Sequence, residues 1–500
     1  SGSSHGLGAR PLPPAWLAVP ARAAAHPLLL LAAALGLPLA AAIAFGGLVA
    51  FAEADALVIF LSLLACVFIV FDFRTGVVFL ILLFPLSASA MFPRSIGGIT
   101  GLNPINLLIA GTFAASWLRH GAADGRPPLP PAPLVWCYVL PIVLAGLAGS
   151  QHLGSVTPEL IALIPLDFNS VGNYLLNILV KPLLLVVFAL LVAAAAARSR
   201  RPERLLVPML ASIAAMCLIS IAFAVTSGLS LDQMASSGAR MFLSPLGLHA
   251  NDLGRLYAIA YALMLYTCAA TRDNGLRLAL VAGMALVVAA LVLTFSRGAF
   301  FGFVVVNGLF LLSRRNAGTF LLAAAALAGL VLLLPGAVFE RVASGWGGGL
   351  NALSAGRVDE IWLPLLPELL RSPLIGNGLA SIAWSDAMRS GLMQTVGHAH
   401  NAYLNLLLDM GLLGLGLIGA YFVHVWRGFR RLAVDPAIAP TLQGFYAGAA
   451  AGLISFLLAG FFGSSLTPCL EQIFLWFAIG MMYGQRHAAK NAPAAEAAPC

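Results

Sequence analysis

Long apolar runs dominate this sequence and limit the folds that it can adopt. Because a lipid core offers no hydrogen-bond partners to the backbone, runs of this length can cross it only as helices, at about 20 residues per crossing. The alternation typical of an outer-membrane barrel is absent. The sequence therefore predicts an all-α integral membrane protein with about 12–14 transmembrane helices. The candidate runs lie near residues 28–51, 56–71, 76–92, 104–118, 134–149, 174–197, 205–226, 256–270, 278–295, 298–313, 319–338, 401–426, 441–463 and 470–484.

The composition excludes several other classes of protein. Of the 500 residues, 61% are hydrophobic and 9% are charged, whereas an ordinary soluble domain is about 45–50% apolar and about 25% charged. So few charges cannot solvate a globular surface of this size, which argues against a soluble enzyme, a disordered chain and a nucleic-acid-binding domain. The six cysteines lack metal-site spacing, so neither a zinc site nor a disulfide framework is predicted.

The distribution of basic residues predicts the orientation of the chain. With a cytoplasmic N-terminus, 18 of the 27 Lys and Arg residues fall in inner loops, as the positive-inside rule requires. The predicted segments are a cytoplasmic tail (1–26), transmembrane helices (27–338) with periplasmic loops near 150–173 and 227–255, a large periplasmic loop (339–400), further transmembrane helices (401–484) and a cytoplasmic tail (485–500). The positive-inside rule does not explain the nine basic residues that fall in outer segments. These are Arg94, Lys181, Arg240, Arg255, Arg297, Arg341, Arg357, Arg371 and Arg389.

The large loop over residues 339–400 is the longest segment between predicted spans. Long loops carry function more often than short ones. Near its start, Arg357 could serve an anion site or pair with Asp359 or Glu360. The following stretch has a helical apolar rhythm and is expected to lie along the membrane surface or to cap the bundle. Its predicted apolar face consists of Trp362, Leu365, Leu366 and Leu369.

A histidine-containing segment, GHAHNAYL, joins the large loop to the next span. A His residue at a membrane–water boundary can act as a base near neutral pH. The spacing of His398 and His400 is not that of a helical metal motif, so no metal ligand is predicted. The alternative is a structural role, in which a boundary His caps the helix or bonds a carbonyl. The grouping of both His residues with Asn401 and Tyr403 favours a role in proton transfer over a structural role.

Several arginines at the outer ends of spans are candidates for binding an anion. Arg297 occupies an almost loopless turn, TFSRGA, where it must reach the interface, pair with an acid or bind an anion. Arg255 ends the segment GLHANDLGR, and Arg240 lies upstream. Together with Lys181 they could converge on one cavity, where a diphosphate needs about two cations. The alternative is a set of separate charges, each paired with a carboxylate such as Asp252.

Residues 354–415 resemble the signature region of the bacterial O-antigen ligase and O-antigen polymerase superfamily. Its ligases, its polymerases and related protein O-glycan ligases share these motifs. Asp409 stands where Glu is often expected, and fourteen candidate spans exceed the dozen typical of the ligases. The matching motifs are GRVDEIW from Gly356, SPLIGNG from Ser372 and HAHNAYLNLLLDMGLLGLGL from His398, with TFSRGA and GLHANDLGR in support.

The resemblance implies an inner-membrane glycosyltransferase that acts on the periplasmic face without a metal or other cofactor. The donor would be a glycan on undecaprenyl diphosphate. His400 matches the catalytic position, with His398 orienting it or contacting sugar, and Arg297 and Arg255 match the residues that bind the donor diphosphate. Arg240 and Arg357 are further candidates for that role. The candidate substrate contacts are Asn401, Tyr403, Lys181 and Trp362.

Three functions are compatible with these features. A ligase acting in lipopolysaccharide biosynthesis would use the lipid A core oligosaccharide as acceptor, and the basic outer face suits the phosphates of that acceptor. A polymerase of O-antigen or exopolysaccharide would use a second lipid-linked glycan. A transporter of lipid-linked oligosaccharides is less favoured, since it should carry charges along the middle of its spans. Membrane lipids are expected partners and nucleic acids are not. We expect an inverting displacement assisted by His400.

Overall fold

The fold of the protein is taken from a computed structural model, which describes most of the chain. The predicted tail 1–26, the runs 28–51 and 319–338, and most of the run 56–71 lie outside the described residues. The number of spans, 12–14, therefore stays a prediction. The structure describes residues 64–65, 67–90, 95–96, 99–100, 103–120, 130–230, 233–234, 239–314, 349–463 and 465–491, with a few single positions within 315–348.

The described chain is almost entirely helical, with two antiparallel two-residue strands, β1 (Ser95–Ile96) and β2 (Ile99–Thr100). Eight helices are long and apolar enough to cross a membrane, which confirms the predicted class. We number the principal helices α1 (Phe73–Leu83), α2 (Pro104–His120), α3 (Ala132–Ser155), α4 (Val171–Ala197), α5 (Pro202–Thr226), α6 (Ala250–Ala270), α7 (Asn274–Leu293), α8 (Arg297–Arg314), α9 (Leu363–Arg371), α10 (Ala402–Ala433), α11 (Pro440–Phe462) and α12 (Ile473–Asn491). The predicted runs within the described residues coincide with these helices, except that the run 76–92 extends beyond α1, which ends at Leu83.

Small residues allow the central helices to pack at close range. A Cβ atom on Gly444 or Gly448 of α11 would lie 2.5 Å from a backbone oxygen of α6. Gly480 and Gly484 of α12 stand in the same relation to α4, at 2.4 and 2.6 Å. Spacings of four residues between glycines are typical of close helix pairs in membranes, where van der Waals contact replaces the hydrophobic effect. These two pairs place α6 and α12 in the buried centre; α6 carries Arg255, and α12 begins two residues after Glu471.

Helix α10 is broken at Gly411, whose φ of 65° and ψ of −168° are not helical. The break frees backbone groups that must find partners if the segment lies in a membrane. The segment Ser372–Gly378, SPLIGNG, supplies them from the large loop. The four bonds run from Leu412 N to Pro373 O (2.9 Å), Leu413 N to Leu374 O (3.0 Å), Asn377 N to Leu408 O (2.8 Å) and Gly378 N to Asp409 O (3.0 Å).

The predicted helix in the large loop is present, but its buried face differs from the prediction. It begins with a π-helical turn, Val358–Trp362, and continues as α9. Leu365 and Ile361 are buried, whereas Leu366 is 47% exposed, so its assignment to the packed face is wrong. The π turn contains one more residue per turn than an α-helix, which rotates the register and brings Ile361 to the packed side.

We expect Gly411→Ala to destabilise the protein by about 1–3 kcal/mol, because this φ/ψ combination is essentially restricted to glycine. The new Cβ would also lie 2.3 Å from the Leu374 carbonyl carbon. The matched control is Gly416→Ala in the same helix, where a Cβ meets nothing within 4 Å and Ala is the better helix former. Thermal unfolding of both purified variants in nanodiscs tests this. Equal melting temperatures for the two would contradict the importance of the break.

Candidate active site

The two histidines of the GHAHNAYL segment lie in a tight turn directly before α10, and three hydrogen bonds fix this turn. Trp362 Nε1 donates to the carbonyl of Ala399 at 2.8 Å, and the amide of Ala399 donates to Asn405 Oδ1 at 3.3 Å. The amide of His400 donates to His398 Nδ1 at 3.2 Å. Both polar groups of the Ala399 backbone are thereby held, one from the large loop and one from α10. The side chain of His398 therefore contacts the backbone of His400, and the catalytic roles of both residues stay predictions.

Backbone strain is concentrated at this site. His400 has a φ of 53°, in the left-handed region that residues with a Cβ rarely adopt. Phe295 and Ala355, each two residues before a candidate arginine, have φ values of 47° and 58°. Such conformations persist only where the surroundings enforce them, and they cluster at functional sites. At His400, the enforcing contacts are the bonds to its neighbour Ala399 and the packing of its ring against that of His398, with centroids 4.1 Å apart.

Asp409 connects the break in α10 to the histidine turn. Its side chain is 5% exposed, and its Oδ1 accepts hydrogen bonds from the amide and the hydroxyl of Ser381, at 3.0 and 2.8 Å. Its Oδ2 accepts a bond from Asn405 Nδ2 at 2.9 Å. Since Asn405 also holds Ala399, a continuous chain of bonds runs from the large loop through Asp409 to the turn. This gives Asp409 a structural role that its sequence position did not reveal.

Arg357 is a half-buried cation with two other arginines close by. Burial lowers its pKa, and the positive charges of Arg297 and Arg255 lower it further. Neither Asp359 nor Glu360 forms an ion pair with it, and among the residues that the structure describes no other carboxylate does. A desolvated cation beside like charges is unfavourable unless an anion compensates it. The structure therefore brings Arg255, Arg297 and Arg357 together at a place suited to an anion.

Arg255 differs from Arg357 because its charge is already balanced. Its guanidinium is 4% exposed, and Nη2 lies 2.6 Å from Asp252 Oδ1 and 2.6 Å from Glu471 Oε2. The pairing with Asp252 is the alternative raised from the sequence. Glu471, which is 2% exposed, was missed. The only available signal was that Glu471 is the single acidic residue in the run 470–484.

Both histidines of the turn are neutral at physiological pH. Burial lowers the pKa of His400 to about 3, aided by His398, Arg357, His249 and Arg255. Burial also lowers the pKa of His398. A neutral imidazole has one nitrogen free to accept a proton, which general base catalysis requires. The role of His249 near the site was not anticipated; it caps α6 by accepting the amide of Asn251 at 3.2 Å.

Two of the candidate substrate contacts have structural partners. Asn401 caps α10, since its Oδ1 accepts the amides of Tyr403 and Leu404 at 3.0 and 3.1 Å. The hydroxyl of Tyr403 donates to the carbonyl of Leu457 in α11 at 2.7 Å. Trp362, the third candidate, holds the histidine turn as described above. These contacts position the site, and a contact with substrate remains a prediction for each.

Lys181 does not join the cluster, and the structure does not describe the side chain of Arg240. Lys181 lies within α4, where its ammonium donates to Asn177 Oδ1, and it is not among the charges that shift the pKa of Arg357 or His400. Arg240 lies in a 3₁₀ helix, Ala239–Leu246, and its side chain is outside the described residues. Within the described parts of the chain, no group of three or more His, Cys, Asp or Glu side chains could hold a metal ion.

We expect Arg357→Gln to raise the melting temperature of the ligand-free protein by about 1–2 °C, because it removes a desolvated cation from beside two others. It should also abolish the rise in melting temperature that inorganic pyrophosphate produces in the unmodified protein. The matched control is Arg371→Gln, since Arg371 already pairs with Glu368 and Asp386. Pyrophosphate stabilisation that persists in Arg357→Gln would contradict an anion site here.

The comparison with protein families agrees with this site. Residues 282–419 match the family model described as O-antigen ligase. The matched range contains Arg297, Arg357, His398, His400 and the break at Gly411, whereas Arg255 and Glu471 lie outside it. The chain has no significant match among curated proteins. The family match confirms the resemblance first drawn from the motifs: residues 282–419 are similar to the family described as O-antigen ligase.

Proposed function

We propose that this protein transfers a glycan from undecaprenyl diphosphate to a hydroxyl of the lipid A core, on the periplasmic face of the bacterial inner membrane. The observation that carries the proposal is the position of Arg357. It is a half-buried cation without an ion pair among the described residues, and it lies close enough to His400 to lower the pKa of that imidazole. Transfer from a lipid diphosphate requires a group that binds the anion and a base, both at the same place.

The arginines have separate roles in this proposal. Arg357 and Arg297 bind the diphosphate and stabilise the negative charge that develops as it departs. Arg255 is held by Asp252 and Glu471, so its place in the proposal is at the edge of the diphosphate site rather than as the main ligand. Arg240 is a further candidate donor ligand.

His400 acts as the base that receives the proton of the acceptor hydroxyl. The hydroxyl oxygen attacks the anomeric carbon, a new glycosidic bond forms, and the bond from that carbon to the phosphate oxygen breaks. The electron pair leaves with the lipid diphosphate, and the single displacement inverts the configuration. A bound diphosphate would offset the arginine charges that lower the pKa of His400 and so raise that pKa towards the useful range. The strength of the base is thereby coupled to the presence of the donor.

The acceptor distinguishes a ligase from the alternatives. The excess of positive charge around Arg357 and Arg297 suits a phosphate-bearing lipid A core, which is why we favour the ligase. A polymerase of O-antigen or exopolysaccharide would use the same base and arginines with a lipid-linked glycan as acceptor. A transporter of lipid-linked oligosaccharide would need the anion site but not the base.

We expect His400→Ala to lower the rate of transfer by at least about 100-fold, the usual range for loss of a general base, while leaving the melting temperature little changed. The control is His487→Ala, which removes a histidine of α12 outside the site. The assay uses protein in nanodiscs with undecaprenyl-diphosphate glycan, with and without lipid A core, and with and without EDTA.

The products of this assay separate the three functions. A single lipid A conjugate that resists EDTA supports a metal-independent ligase, and a ladder of lipid-linked chains supports a polymerase. Movement of the donor across the bilayer without any product supports a transporter. Full transfer activity in His400→Ala would overturn the assignment of the base.

We expect Trp362→Phe to lower kcat by about 10-fold or more and to leave KM nearly unchanged. Phenylalanine keeps the packing but removes the donor to Ala399, and small misplacements of a catalytic group are costly. The control is Trp426→Phe on α10, whose indole lies near Arg430 and away from the turn. A rise in KM with constant kcat would instead make Trp362 a substrate contact.

A further inference from the structure

The proposed mechanism does not use a cavity that lies between α3 and the large loop. It encloses about 240 Å³ between the outer end of α3 and the large loop. The lining groups that matter here are His152, Glu368, Arg371, Asn377, Trp384 and Arg389. We propose that this cavity is a saccharide-binding subsite that receives a sugar ring of the glycan substrate. The inference rests on the proposed function, because it concerns how that glycan is held.

The aromatic groups in the cavity form a stacked pair. The ring of His152 lies over the indole of Trp384, with centroids 5.4 Å apart and planes at 20°. Trp384 is buried and its Nε1 donates to the carbonyl of Asn377 at 3.2 Å, whereas His152 is exposed. The buried indole thus fixes an exposed imidazole in place. The face of the imidazole can pack against the C–H groups of a sugar ring. The nitrogens at its edge can donate and accept hydrogen bonds with the hydroxyl groups of the sugar.

The charged groups in the cavity balance one another. Arg371 contacts Glu368 at 3.1 Å and also Asp386, and Arg389 contacts Asp386. Two cations therefore face two carboxylates, unlike the unbalanced cluster around Arg357. Because the charged groups are paired, the cavity suits hydroxyl groups better than a phosphate. Each guanidinium has five N–H donors, and those not used in the ion pairs can donate to hydroxyl groups.

The cavity shares its wall with the support of the histidine turn. Ser381 lines the cavity and donates both its amide and its hydroxyl to Asp409. Asp409 accepts a bond from Asn405, which in turn holds Ala399 between the two histidines. A few bonded residues therefore separate the subsite from the reacting centre. A glycan that has its reacting sugar at His400 can extend a further sugar into this cavity.

The test is direct binding of lipid-free oligosaccharides by saturation-transfer-difference NMR in nanodiscs. The two probes are the O-antigen repeat oligosaccharide and the core oligosaccharide, each without lipid. The unmodified protein should bind one of them, and His152→Ala should weaken that binding by at least about fivefold. His152 is exposed, so this variant should fold; Glu368→Gln, which alters the cavity from a second side, should weaken the same probe. The control is again His487→Ala.

Each result has a consequence for the subsite. Binding of the repeat oligosaccharide assigns it to the donor glycan, and binding of the core oligosaccharide assigns it to the acceptor. Absence of binding for both probes, unchanged affinity in both cavity variants, or displacement of the probe by inorganic phosphate would overturn it. The NMR measurement does not require turnover. Failure of the proposed function, seen as full transfer in His400→Ala, is therefore distinguishable from failure of the subsite.

Discussion

The pairing of the SPLIGNG segment with the broken helix α10 is the interaction on which the candidate site depends. A helix that breaks among apolar residues leaves backbone groups that must find hydrogen-bond partners within the protein. The large loop provides these partners at Pro373, Leu374, Asn377 and Gly378. The loop is thereby attached to the membrane-spanning bundle by main-chain bonds, which side-chain substitution does not remove. Asp409 and the histidine turn lie on this attachment, so the geometry of His400 depends on backbone pairing about ten residues away along the chain.

The site combines two arrangements of charge with different purposes. Around Arg255, a buried cation is paired with two carboxylates, and removing the cation would leave both carboxylates uncompensated. Around Arg357, no carboxylate forms an ion pair with the guanidinium among the described residues. The first arrangement holds α6 against the start of α12, and the second leaves positive potential for a ligand. Burial is the main cause of the low pKa of His400, and Arg357 and Arg255 lower that pKa further.

Much of this could be predicted from sequence, because long apolar runs and short motifs are local signals. The runs gave correct helices, and the motifs brought His398, His400, Arg297 and Arg357 into consideration together. The pairing of Arg255 with Glu471 spans 216 positions, and no local pattern reports a contact at that distance. Leu366 was misplaced because the packed side is centred on Ile361 and Leu365, which leaves Leu366 at its exposed edge. Asn401, Tyr403 and Trp362 look like substrate ligands from their position, yet each has a bond to the protein that only three-dimensional structure reveals.

The large loop is also attached on the side opposite α10. The amide of Leu379 donates to the carbonyl of Ala145 in α3 at 2.9 Å, and the hydroxyl of Tyr174 in α4 donates to the carbonyl of Leu379 at 2.7 Å. A Cβ on Gly378 would lie 2.4 Å from the amide nitrogen of Gly149. These contacts reach far outside residues 282–419, the range that matches the family. The family segment therefore cannot be exchanged between relatives by itself. A chimera must also carry the matching surfaces of α3 and α4, on which the large loop packs.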